Sequence, residues 1–504
     1  MQNSQSVTSN KRHVAIFGAG FSGLVMAHEC LKNGFEVSIY DKESYTGGKC
    51  VGTVKDGILH EVTHRQFFAK NNNLIELLKE IPSPMGSCFD ALSPQNKVQF
   101  HWAKKLKTMQ FQRSYFSALE KLIDDAKSAY AMFYADVPAK DILWFKKQIT
   151  SDKSKEELLE TTVSEYFEYQ TRVKLSGFLR PVLLGWVGAT DEMPALSALD
   201  LLNYKIGEFH PDSPRAYNLG ICEPISDAFI NPLTKHLIAQ GANFYLNSEL
   251  AKLHCNETSA LIERASLTNG ETINADIFVS ALPAHVTRNL LGEYCTDFDV
   301  DYVLSHGFQF HFSSMPRELQ DKTVGLVIDS PWGLSYNITE QQVADGKCVC
   351  LSITATDISR AKGSLYSRPL TDLNLSQVKD ELLFQMFGNT DLLSSYDYIG
   401  FHPGPGAKLV TPIELETVYS SWFKGDVLHD ESGEPKHWVF QHALTHPSVK
   451  CHQSLTSSQC KNLFFVGEYL FDPKQNWRAP VTLERCAETA RLCAEIVVER
   501  ENER

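Results

Sequence analysis

The spacing of apolar and polar positions changes character along the chain, and each change predicts a change of architecture. Val14–Phe17 is a short continuous apolar run and reads as a buried strand. Leu24–Leu31 follows with a helical apolar face, and Phe35–Tyr40 returns to strand. From Asn71 to about Pro214 the pattern is that of long amphipathic helices, at Leu74–Lys79, Arg113–Met132 and Lys155–Tyr169. Within this stretch Leu175–Leu202 is very apolar and is broken by Pro181, Gly185, Gly188 and Pro194. It reads either as a pair of core helices or as a wall that meets a lipophilic molecule or a membrane surface.

Gly220–Leu291 returns to alternating helix and strand. Pro224–Ala239 reads as a helix kinked or restarted at Pro232, Ala242–Tyr245 as a strand, and Gly270 as the turn of a β-meander that begins near Leu250–Leu253. A buried strand then ends at Pro283. Strands at Val303–Ser313, Val324–Ile328 and Cys348–Ala355 follow in a mixed segment, with His402–Gly406 as a loop. The last elements are a buried strand, Asn462–Val466, and a helix, Ala479–Val497, with Pro480 in its first turn.

Between the first strand and the first helix stands Gly18-Ala19-Gly20-Phe21-Ser22-Gly23. In such a unit the glycines allow a tight turn, close approach of backbone to a pyrophosphate, and close helix–strand packing. The free amides of Phe21 and Ser22 at the helix N-terminus favour the negative charge. Asp41 ends the next strand, about 20 residues beyond, where an acid binds ribose hydroxyls. Strand, glycines, helix, strand and acid in this order predict dinucleotide binding. Gly47-Gly48-Lys49 follows at once and reads as a second backbone approach, with Lys49 near the phosphates.

Composition narrows the class. A chain of 504 residues with 43% hydrophobic and 22% charged content is a globular protein of two or more domains. A net charge of −13 argues against a nucleic-acid partner. The 12 cysteines show no framework spacing and read as free thiols in a cytoplasmic protein, with Cys348 and Cys350 on one face of a core strand. No metal-ligand spacing accompanies them. Neither a secretory signal nor an apolar run long enough to span a membrane is evident.

GxGxxG, the acid, Gly-Gly-Lys, and Asp56-Gly57-Ile58-Leu59-His60-Glu61 in this order resemble the FAD-binding start of the amine oxidase and phytoene desaturase superfamily. The string from Gly220-Ile221-Cys222-Glu223-Pro224 to Pro283 is most similar to the plant and cyanobacterial type of phytoene desaturase. Gly467-Glu468 and the final helix resemble that superfamily's closing section.

The resemblance implies an α/β fold: a Rossmann-like FAD-binding domain assembled from residues 11–90, 215–290 and 455–504. Residues 91–214 and 291–454 would form a substrate domain of helices and a mixed sheet. It also implies contacts to FAD from Gly18, Gly20, Phe21, Ser22, Gly23, Asp41, Lys42, Gly48, Lys49, Glu61, His64, Leu250, Gly467 and Glu468. Backbone amides of Thr482 and Leu483 would face the flavin. Asp41 stands where the superfamily usually has Glu, and Thr63 where it commonly has Gly, a place from which a side chain could crowd the flavin.

The implied reaction is hydride transfer to flavin N5. The strand Ser305–Phe312 lacks the lysine typical of amine oxidases, which favours a desaturase acting on a lipophilic substrate over an amine oxidase or a redox-neutral polyene isomerase. A flavin-retaining binding protein is the non-enzymatic alternative. The electron acceptor is left open between oxygen and a quinone. His64, Tyr469 and Trp477 are the candidate groups beside the substrate, and a weak peripheral contact of Leu175–Leu202 with a membrane is expected.

Overall fold

The computed structural model describes residues 11–503 apart from positions 56, 96, 106, 113–116, 151–152, 203–208, 215, 222–223, 297–299, 344–345, 392–397, 419–421, 430–431, 442, 448–452 and 471–481. Strands from three distant stretches of chain pair in one parallel sheet. Its order is Asn243–Tyr245, Glu36–Tyr40, His13–Phe17, Ile277–Ser280, Leu463–Phe465. The strands read as unbroken apolar runs because helices cover the sheet, as a parallel sheet requires. Helices Phe21–Lys32 and Leu483–Asn502 pack against each other. Arg491 joins them by donating to Glu29 (3.0 Å), and it reaches Glu80 (3.0 Å) at the end of helix Asn72–Glu80.

The second sheet is mostly antiparallel, in the order Lys107–Gln112, Lys97–Trp102, Val324–Val327, Ser335–Val343, Gly346–Thr356, Val300–Phe312, Tyr398–Pro403. Its two faces differ. Phe308, Phe310, Phe312, Leu351, Ile353 and Ala355 fill one core, beneath helix Leu375–Phe387. Alternation puts Cys348, Cys350, Ser352, Thr354 and Thr356 on the opposite face, so Cys348 and Cys350 share a face as the sequence implies. Both cysteines are buried.

Several helices differ from their predicted extents. The first long one of the insert is Ala118–Tyr134, capped by Ser117 with Glu120 three residues on. The expected helix Lys155–Tyr169 is two pieces, Lys155–Glu160 and Val163–Tyr166, because Thr162 and Glu165 form a capping box that starts the second. Pro232 falls in the first turn where the α-helix restarts, as the sequence implies. Without its N–H the preceding turn, Ser226–Ile230, adopts π-type bonding and Asn231–Ala239 continues as α-helix.

Leu175–Leu202 is core. Its helices Val173–Val187 and Ala195–Leu202 bury Leu175, Phe178, Leu179, Val182, Leu183 and Leu199 among Phe100, Phe111, Tyr217 and Leu326. The core reading accounts for these side chains, while Leu184, Trp186 and Val187 of the same segment line a small cavity.

Candidate functional site

A cavity of about 410 Å³ runs over the C-terminal ends of the parallel strands, the place where open α/β sheets bind ligands. Gly18, Gly20, Phe21, Ser22, Asp41, Lys42, Gly48, Lys49, Leu250, Gly467, Glu468, Thr482 and Leu483 line it, drawn from all three sequence sections. The glycines explain the shape. A Cβ on Gly18 would sit 2.7 Å from the Ala281 carbonyl oxygen, and one on Gly23 would be 1.9 Å from the Gly18 oxygen. A Cβ on Gly20 would meet nothing within 4 Å. It is the position where bare backbone faces open space, as a bound pyrophosphate needs.

Asp41 is set at the cavity by two amides. Its carboxylate accepts from Ala19 N–H (2.6 Å) and Glu43 N–H (2.8 Å), which leaves lone pairs for hydroxyls. Burial raises its pKa against those two bonds, so a ligand that adds donors would pull it back down. Thr482 stands at the N-cap position of the final helix at the other end of the cavity, and the nearby Glu484 accepts from Asn73 N–H (3.1 Å) and Leu74 N–H (2.8 Å), which fixes that helix start. The residues present therefore fit a dinucleotide.

Three expected contacts, Gly23, Glu61 and His64, do not line this cavity. Gly23 is a packing glycine beneath the strand. Glu61 turns away to accept from Ile225 N–H (2.7 Å), and burial raises its pKa to about 6. Lys49 lines the cavity, but its ammonium donates to Glu468 (2.6 Å) and to the Ala443 carbonyl (3.0 Å). That pair ties the first section to the third. Burial raises the Glu468 pKa, but the Lys49 charge and hydrogen bond outweigh it and the net shift is downward.

Beyond Thr482 and Leu483 lies a second cavity of about 130 Å³, which shares Arg65 and Leu444 with the first. The polar face of the mixed sheet is its floor. Ser335 pairs with Thr354 and Ser305 with Thr356 across adjacent strands, so four hydroxyls form a patch. Phe68, Leu184 and Trp186 close the far side.

His64 stands here, not in the first cavity. Its Nδ1 is 3.1 Å from Thr354 Oγ1 and its Nε2 is 3.4 Å from Ser335 Oγ. Burial lowers its pKa to about 4, so the ring is neutral. Thr63 donates to the His64 carbonyl (2.9 Å) and shares a hydroxyl contact with Thr354 (2.7 Å). Counting donors, Thr354 gives its proton to Thr63 and accepts from His64 Nδ1–H, leaving Nε2 as an acceptor. Thr63 thus points onto the sheet, at the edge of the second cavity.

Tyr469 is turned into the core, where its hydroxyl donates to Thr287 (3.3 Å), and it lines neither cavity. Trp477 and Pro480 lie outside the described residues. Among those described, the final helix begins at Leu483 rather than Ala479. Arg65, Trp422, Gln441 and Leu444 line the first cavity without having been anticipated. Arg65 follows the motif closely and donates to the Lys49 carbonyl (2.6 Å), so a cation beside the glutamate section was its only local signal.

Comparison with known proteins agrees with this architecture. Residues 16–81 match the model of the NAD(P)-binding Rossmann-like domain. Over nearly the whole chain the fold is similar to that of solved oxidoreductases, at low sequence identity. A variant of putrescine oxidase superposes with a TM-score of 0.58 at 11% identity, covering 97% of this chain and 99% of that one. An oxidoreductase from Methanosarcina mazei gives 0.54 at 14% identity, with 97% and 100% covered.

In sequence, the chain is 44% identical over 73 residues to zeta-carotene desaturases from Arabidopsis thaliana and Solanum lycopersicum. That match spans 14% of this chain and only 13% and 12% of theirs. Among the described residues no helix is long and apolar enough to cross a membrane.

Proposed function

We propose that the protein is a flavoprotein oxidoreductase that holds FAD in the larger cavity and oxidises a substrate bound in the smaller one. The observation that carries this reading is the continuity of the two cavities at Thr482 and Leu483, the start of the final helix. Residues 11–90, 215–290 and 455–504 would form the cofactor domain and the remainder the substrate domain. Asp41 would take the ribose hydroxyls, the amides at Gly20–Ser22 the pyrophosphate, and the positive end of the final helix the polar edge of the ring system. When bound, FAD supplies a two-electron acceptor for the substrate's hydride.

The chain's own residues would then position the substrate and keep water out. His64, held neutral by burial, offers Nε2 as an acceptor to a substrate N–H or O–H and is too weak a base to carry a proton away at pH 7. The hydroxyl patch of Ser305, Ser335, Thr354 and Thr356 offers further hydrogen bonds. This lining shifts the substrate class away from the lipophilic chain favoured by the sequence, although Leu184 and Trp186 of Leu175–Leu202 stand on its far wall. A compact substrate bearing hydrogen-bonding groups fits best. Desaturation of a lipophilic chain is the second reading, favoured by Phe68, Leu184 and Trp186 on the far wall. Anaerobic mixing with panels of small amines and alcohols, acyl compounds and polyenes, followed by flavin bleaching, tests both. Bleaching by polar compounds alone supports the first; bleaching by polyenes alone replaces it with the second.

A peripheral membrane contact, if the protein makes one, would use the helix Ala118–Tyr134. Leu119, Leu122, Ile123, Tyr130 and Phe133 are 49–66% exposed along one side of it, at the recurrence that places them on a single face. Its other side packs inward through Asp124, Ala131 and Met132.

A further inference from the structure

Two thiols meet at a junction of the parallel-sheet region, outside both cavities. Cys255 lies on the strand Leu250–Asn256 and Cys460 in the turn that leads into Leu463–Phe465, and their Sγ atoms are 2.8 Å apart. They belong to different sequence sections, and both backbones are pinned. Ser457 accepts from Cys460 N–H (3.0 Å) and donates to the Tyr294 carbonyl (2.7 Å). Asn462 accepts from Ile262 N–H (2.7 Å) and donates to the carbonyls of Ile262 (2.9 Å) and Asp276 (3.1 Å). The Tyr294 hydroxyl donates to the Leu253 carbonyl (3.2 Å) on the Cys255 strand. Cys255 is partly exposed, whereas Cys460 is 1% exposed.

We propose that Cys255 and Cys460 form a reversible disulfide site, closed by hydrogen peroxide and reopened by small thiols. The Cys255 thiolate attacks one peroxide oxygen; the O–O bond breaks, and the departing hydroxide takes up a proton to become water, leaving a sulfenic acid. Cys460 Sγ then attacks Cys255 Sγ. The S–S bond forms, the S–O bond breaks, and hydroxide leaves with the Cys460 proton as a second water. Two thiols and one peroxide thus give one disulfide and two waters. Cys255 is the entry point because it is the half-open member of the pair. Cys460 stays protonated until then: burial, then its bond with Cys255, then the nearby Glu293 push its pKa up to about 12.

Closure would link the second and third sections of the chain across a long loop, constraining the unfolded state. Leu250, on the Cys255 strand, lines the larger cavity, so the staple would also stiffen that wall.

The test treats the FAD-loaded full-length protein with equimolar hydrogen peroxide, blocks free thiols, and maps peptides without reduction. The expected result is a Cys255–Cys460 cross-link that dithiothreitol removes, that is lost in Cys255→Ser and in Cys460→Ser, and that persists in Cys451→Ser. The oxidised protein should melt several degrees above the reduced one, and neither serine variant should show that gain. Recovery of both thiols in alkylated form would overturn the proposal. So would pairing of Cys255 with Cys451, or over-oxidation of Cys255 with Cys460 still free. Because the melting comparison uses unmutated protein, it stands even if a serine variant folds poorly.

Discussion

Acid should destabilise this fold well above the pH at which ordinary carboxylates titrate, because four of its histidines are held neutral. Burial is the leading cause in each: it lowers the pKa of His64, His101 and His306 to about 4 and that of His311 to about 3, from an ordinary 6.5. His306 donates to the Gly404 carbonyl (3.1 Å) and His101 sits 2.8 Å from the Met386 carbonyl oxygen, but among the described residues neither ring nitrogen of His311 has a hydrogen-bond partner.

The unfolded chain binds protons at these rings below pH 6.5 while the folded chain does not. Their stability contribution is therefore complete above that pH and is lost as pH falls towards 4. Between pH 7 and pH 5.5 each ring costs about 1 kcal/mol or a little more, so four cost about 5. Glu61 opposes them: its raised pKa of about 6 lets the folded state take a proton first, returning about 1 kcal/mol over the same interval. The net loss is about 4 kcal/mol, a large part of ordinary stability. At about 2.1 cal/mol/K per residue over 504 residues, it lowers Tm by about 4 °C.

Thermal melts at the two pH values, with FAD saturating in both, measure this. His311→Leu should remove about a quarter of the drop. Equal melting temperatures at pH 7 and pH 5.5 would refute the reasoning, since the rings would then have to be solvated or already charged in the fold.

Other outcomes follow from the same geometry. Asp41→Ala should weaken FAD binding by roughly 1.5–3 kcal/mol for the loss of charge-assisted hydrogen bonds, about 10- to 150-fold in Kd by titration. Lys49→Met leaves the Glu468 carboxylate half-buried and unpaired and should cost about 1–3 kcal/mol in denaturant unfolding; Lys49→Met combined with Glu468→Gln should recover part of it, and an additive double mutant would deny the coupling. His64→Phe should raise KM for a hydrogen-bonding substrate far more than it changes FAD content, and an unchanged KM would remove His64 from the substrate site. Leu122→Glu with Phe133→Glu should abolish any co-sedimentation with liposomes while leaving the melting temperature within a degree or two, because both side chains are already exposed.

What the sequence disclosed depended on how local each signal is. Gly20 and Asp41 could be located because a phosphate-binding turn and its acid are set by one strand–helix–strand unit. The start of Ala118–Tyr134 and the break before Val163 were also written locally, as Ser117 with Glu120 and Thr162 with Glu165, though hydropathy alone ran across both. Leu175–Leu202 shows the limit of composition: an apolar segment looks the same whether it faces lipid or Phe100 and Tyr217. The hydroxyl patch was hidden for another reason. Ser305, Ser335 and Thr354 come together only through strand register, and alternating threonines and serines read as an ordinary polar face. Trp422 and Gln441 reach the cavity from loops whose position is set by long-range pairing.

The claim that organises all of this is that the larger cavity holds FAD against bare backbone at Gly20. It is tested most directly by the flavin content of purified wild type and Gly20→Val after acid release, with circular dichroism and melting recorded on both. A Cβ at Gly20 meets no protein atom within 4 Å, so the variant should fold and melt as the unliganded wild type does. The wild type should release one FAD per chain and the variant essentially none. A wild type that releases a nicotinamide dinucleotide instead, or a folded variant that keeps its FAD, would contradict the account.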